Sequence, residues 1–67
     1  MYSVEVRSDI ENLANLMSKM REWLDARRFE PDSFRDTVDG ESVTVLVQFK
    51  IESEAVAFAQ AFSGQLL

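Results

Sequence analysis

Val43, Val45, Val47, Phe49 and Ile51 alternate with Thr44, Leu46, Gln48 and Lys50. A repeat of two sends successive side chains to opposite sides of a sheet, so the stretch from Val43 to Ile51 predicts a strand. One of its faces is wholly apolar. Three of the four residues on the other face are polar, which predicts water there rather than a second covering layer. Tyr2, Val4 and Val6 alternate in the same way with Ser3, Glu5 and Arg7, giving a short first strand that ends at Ser8. Ser8 and Glu11 have the spacing of a capping box, which predicts a helix from Asp9. Ile10, Leu13, Met17, Met20 and Leu24 then recur at steps of three and four, forming one stripe down a helix that runs to about Arg28 or Phe29. Leu16, Met20 and Trp23 make a second line on the shoulder of that stripe. It either reaches down over a sheet edge or stands out as a patch that meets another chain.

Pro31 cannot continue a helix, so the segment from Phe29 to Ser33 is a connection. A strand from Phe34 to Val38 follows and runs into Asp39-Gly40, a dipeptide suited to a type I′ hairpin turn. A two-residue loop there pairs Val38 with Glu41, Asp36 with Val43 and Phe34 with Val45. That register puts Phe34 on the apolar face, whereas a slip of one residue would invert it. It also puts Asp36 on the apolar face, which requires the end of the sheet or a basic neighbour. Ser53 reads as the N-cap of a second helix, with Ala55, Phe58, Ala59, Phe62 and Leu66 as its buried stripe and Gly64 where it frays or caps. Ala57 and Ala61 lie on its side.

The order is therefore β-α-β-β-α in a single α+β domain over residues 1–67. With the longest and most apolar strand in the middle, the expected sheet is three-stranded and antiparallel in the order 1-3-2, with both helices on one face. This is a ferredoxin-like arrangement lacking its last strand.

The strand-to-helix segment from Val45 to Gly64 resembles the corresponding part of RNA-recognition-motif domains, with an apolar central strand, an acidic cap and a helix rich in Ala and Phe. The resemblance covers about a third of the chain. It implies a sheet face whose aromatics stack on bases, whereas Thr44, Leu46, Gln48 and Lys50 include none. Charge points the same way. Twelve acidic residues against seven basic ones give a net charge of -5, which disfavours phosphate backbones and anionic membrane surfaces alike. No nucleic-acid or membrane partner is expected. No apolar run approaches a membrane span and no basic-then-apolar leader opens the chain, so a cytoplasmic location is expected.

The chain contains neither Cys nor His, which removes disulfides, thiolate nucleophiles, imidazole bases and the usual zinc and iron ligands. The carboxylates Glu30, Asp32, Asp36, Asp39 and Glu41 do not fit a calcium loop, because Arg35 and Thr37 hold two positions where oxygen ligands are needed before Gly40. Gly40 and Gly64 lie too far apart for a phosphate loop. Neither an enzyme nor a cofactor is expected. Five of the seven basic residues, Lys19, Arg21, Arg27, Arg28 and Arg35, gather near the second half of the first helix, where they suit the helix C-terminus or an acidic partner.

A domain this small gains from a partner. The expected function is a non-catalytic protein-interaction module, a homo-oligomer or a partner of another protein. It would associate through a free edge at Tyr2–Arg7 or through the helix shoulder, with Tyr2, Val4, Leu16, Met20, Trp23 and Arg27 as interface candidates. The alternative is a small-ligand regulatory domain of the ACT-like kind.

Overall fold

A computed structural model describes the whole chain, Met1–Leu67. Strand β1 (Tyr2–Asp9) leads through a 3-10 turn (Ile10–Asn12) into helix α1 (Leu13–Arg27). Strands β2 (Ser33–Asp39) and β3 (Ser42–Phe49) form a hairpin, helix α2 (Glu52–Ala61) follows, and a short strand β4 (Gln65–Leu66) closes the chain. The class is α+β. The sheet, however, has four strands rather than three, all antiparallel, in the order β2-β3-β1-β4.

The fourth strand exists because α2 stops early. Ser63 adopts a left-handed φ of 53°, and the Gly64 N–H donates to the carbonyl of Ala59 at 2.8 Å, turning the chain back onto β1. Leu66 then pairs with Val4 and Gln65 with Glu5. Leu66 therefore belongs to the sheet, not to the helix stripe. Gly64 is the pivot of this reversal. A Cβ at that position would lie 2.9 Å from Val6 Cγ2 and 3.0 Å from the Glu5 carbonyl oxygen, so only glycine lets the backbone approach so closely.

Val43, Val45, Val47 and Phe49 are fully buried in β3, while Thr44, Leu46 and Gln48 are half-exposed on the opposite face. Ile51 lies beyond the strand and is largely exposed. The hairpin register also differs from expectation: Val38 faces Val43, Asp36 faces Val45 and Phe34 faces Val47, and the loop is Gly40-Glu41. Gly40 has a φ of 65° and Glu41 has no positive φ, so the turn needs glycine at its first central position only, as a type II′ turn does. The shift spans two residues, an even number, so every β2 side chain stays on its expected face.

No capping box forms at Ser8. The β1–β3 ladder continues to Asp9 opposite Ser42, keeping Ser8 in the strand, and neither the 3-10 turn nor α1 has a side-chain cap. The Ile10 N–H instead donates to the carbonyl of Glu41 at 2.9 Å. The Ser53 cap is absent too, since α2 already begins at Glu52. At its far end α1 closes in a Schellman motif: Phe29 N–H donates to Leu24 O, Arg28 N–H donates to Asp25 O, and Arg28 holds a φ of 57°.

Both helices cover the face of the sheet that carries Val4, Val6, Val45 and Val47. Phe49, Phe58 and Met20 are the largest fully buried side chains. Trp23 fills the seam between the helices, edge-to-face with Phe29, Phe58 and Phe62 at centroid distances of 5.7, 5.6 and 5.9 Å.

Candidate interaction surface

The six interface candidates divide between β1, which carries Tyr2 and Val4, and α1, which carries Leu16, Met20, Trp23 and Arg27. Val4 and Met20 are fully buried, so their side chains reach no partner. Val4 was a candidate as part of a free β1 edge, but β4 occupies that edge at Val4 and Glu5, and the Leu67 N–H donates to Ser3 O at 2.8 Å. Met20 belongs to the helix stripe that faces the sheet. Leu16 and Trp23 are half-buried and packed against the core. The Arg27 guanidinium lies 4.2 Å above the Trp23 ring, covering its outer side, and the Arg27 side chain itself stays in water. Tyr2 is exposed at the start of β1, opposite Phe49.

The long free edge lies at the other side of the sheet. β2 pairs with β3 along Ser33–Asp39, and no element pairs with its outer side. Asp39 and Ser42 close a two-residue loop and therefore form a doubly hydrogen-bonded pair, which the period of two extends to Thr37 and Arg35. The outward N–H and C=O groups are then those of Phe34, Asp36 and Val38. On the helix side of the sheet Phe34 packs against the core, but the helices do not reach the rest of β2. Asp36 is solvated there and Val38 is 49% exposed. This resolves the cost expected for Asp36 beside the valines, since its carboxylate never leaves water. Arg35, Thr37 and Asp39 point to the helix-free face. A groove of about 260 Å³ between Leu24, Phe29, Pro31 and Phe34, rimmed by Arg21 and Asp25, borders the same edge.

The helix-free face is polar and without aromatics. Ser33 Oγ donates to Gln48 Oε1 at 2.9 Å and Gln48 Nε2 donates to Ser3 Oγ at 3.2 Å, a chain across β2, β3 and β1. Arg7 pairs with Glu5 at 3.2 Å and Lys50 with Asp32 at 3.6 Å, both open to solvent and weak for that reason. A shallow depression of about 600 Å³ lies at the lower end of this face, between Arg7, Asp9, Asp39, Ser42 and Thr44. The acidic residues form no group of three or more able to hold a metal ion, and no polar or charged residue is buried. No helix is long and apolar enough to cross a membrane.

The position of β4 is the feature hardest to read in the sequence, where only Gly64 hints at it: β4 covers the β1 edge at Val4 and Glu5 and so leaves β2 as the longest unpaired edge. Comparison with models of protein families, with curated proteins and with solved structures finds no match to this chain.

Proposed function

We propose that this chain is a non-catalytic protein-interaction module that accepts a strand from a protein partner at the β2 edge. The observation that supports this reading is a seven-residue strand with one side unpaired, whose outward backbone groups lie at Phe34, Asp36 and Val38. Strand addition draws its affinity from such main-chain groups and its selectivity from alternate side chains. Here Val38 and the groove beside Phe34 offer apolar contacts on one face, and Arg35 and Asp39 offer charges on the other.

Amide hydrogen exchange tests the reading. The N–H groups of Phe34, Asp36 and Val38 are expected to exchange rapidly in dilute protein. They should become protected at high protein concentration or on addition of cell extract, while the amides of Arg35 and Thr37 stay protected throughout. If the three outward amides exchange at the dilute rate under both conditions, the edge takes no partner and the reading fails.

A further inference from the structure

The β2 edge is complementary to itself in one register, and we infer that its partner is a second copy of this chain, paired antiparallel with Thr37 on the two-fold axis. This rests on the reading of β2 as the interaction edge.

Symmetry restricts the choices. When two identical edges pair antiparallel about an axis normal to the sheet, facing residues must come from the same face, so one residue of β2 faces its own copy. With Arg35 on the axis, two guanidinium groups meet. With Asp36 on the axis, two carboxylates meet on the helix side, and like charges directly opposite oppose pairing. Placing Phe34 there brings Asp36 against Asp32. Placing Val38 there leaves only the end of the strand overlapped, because the turn begins at Gly40.

Thr37 on the axis avoids all of these. Arg35 of each copy then faces Asp39 of the other, giving two opposite-charge pairs on the helix-free face. Thr37 faces Thr37, a favourable cross-strand pair. Asp36 and Val38 face each other with their backbone groups directed across the seam, in the doubly hydrogen-bonded positions, for about four intermolecular bonds. The helix side offers room for this approach, since Asp36 and Val38 are exposed and no helix overhangs them. The product is a continuous eight-stranded sheet with β2 paired to β2 at its centre. An interface of one strand per copy is small, so the association is of the weak, concentration-dependent kind.

The absence of cysteine from the chain makes the register directly testable. Thr37 and its copy would form a non-hydrogen-bonded pair with Cα atoms about 4.5 Å apart, a separation that a disulfide spans. Under mild oxidation Thr37→Cys is expected to give a covalent dimer rapidly and Asp36→Cys only slowly. Sedimentation equilibrium supplies a second measurement: Arg35→Glu or Asp39→Lys alone should weaken the dimer about tenfold or more, and the double reversal should restore it. All these positions are exposed, so the variants keep the fold. Preferential cross-linking of Asp36→Cys, or a double reversal no better than the singles, overturns the register. A wild-type chain that stays monomeric at millimolar concentration overturns the second copy as partner. The edge reading survives that last result if cell extract still protects Phe34, Asp36 and Val38, and falls if it does not.

Discussion

Arg28 and Ser63 each hold a left-handed backbone, with φ of 57° and 53°, at the ends of α1 and α2. That conformation crowds a Cβ against the backbone at a cost of about 1 kcal/mol, which glycine avoids. Arg28→Gly and Ser63→Gly are each expected to raise the free energy of unfolding by about 0.5–1 kcal/mol in urea titrations. A loss of stability would show that the side chains contribute more than the strain removes. Gly64 is the opposite case. Gly64→Ala must push Val6 or the Glu5 carbonyl aside, and the same titration should show a loss of about 1–3 kcal/mol. Neither left-handed residue was legible in the sequence, because nothing in an arginine or a serine announces a positive φ. Gly64 was legible as the end of a helix, but the strand it touches lies at the other end of the chain.

Among the elements, what a pattern of two or of three and four could encode was readable. Val43, Val45, Val47 and Phe49 are buried as their alternation implied, and Met20 and Leu24 anchor α1 as their stripe implied, whereas Ile10, placed at the head of that stripe, falls in the 3-10 turn before α1 and is exposed. Boundaries were not readable where competition between hydrogen bonds decided them. Ser8 stays in β1 because the ladder with β3 continues to Asp9 opposite Ser42, outcompeting the side-chain cap. Asp39-Gly40 suggested a turn needing two positive φ angles, whereas Gly40 alone supplies one and Glu41 completes the loop. The two faces of β3 should differ sharply in what they contribute. Val45→Ala, in the dry layer under the helices, is expected to cost about 2–3 kcal/mol, and Leu46→Ala, on the wet face, less than about 1 kcal/mol. Thermal unfolding of the two variants side by side measures the contrast, and similar losses would mean that the second face is covered in solution.

For the molecule as a whole, the α+β class followed from the order of patterned segments, but the outline of the sheet did not. Gln65–Leu66 is too short to show any period, yet it covers Val4 and Glu5 and so shortens the free part of the β1 edge. Trp23 likewise read as a shoulder open to two uses until α2 placed Phe58 and Phe62 against it. The sheet joins strands of very different separation along the chain. β2 and β3 meet across a two-residue turn, whereas β1 meets β3 by pairing Tyr2 with Phe49. Closing the long loop sacrifices chain entropy before its contacts form, so time enters the description: the hairpin should assemble first and β1 should dock on it afterwards. Gly40→Ala strains only the turn, as no atom lies within 4 Å of the added Cβ, and is expected to slow folding with little change in the unfolding rate. Gly64→Ala should instead speed unfolding. Stopped-flow kinetics over a range of urea separates the two arms, and an accelerated unfolding arm for Gly40→Ala would reverse the order. If the hairpin does come first, there is an interval in each folding event when β3 has no neighbour on its β1 side, and the nascent sheet is then open along two long edges instead of one.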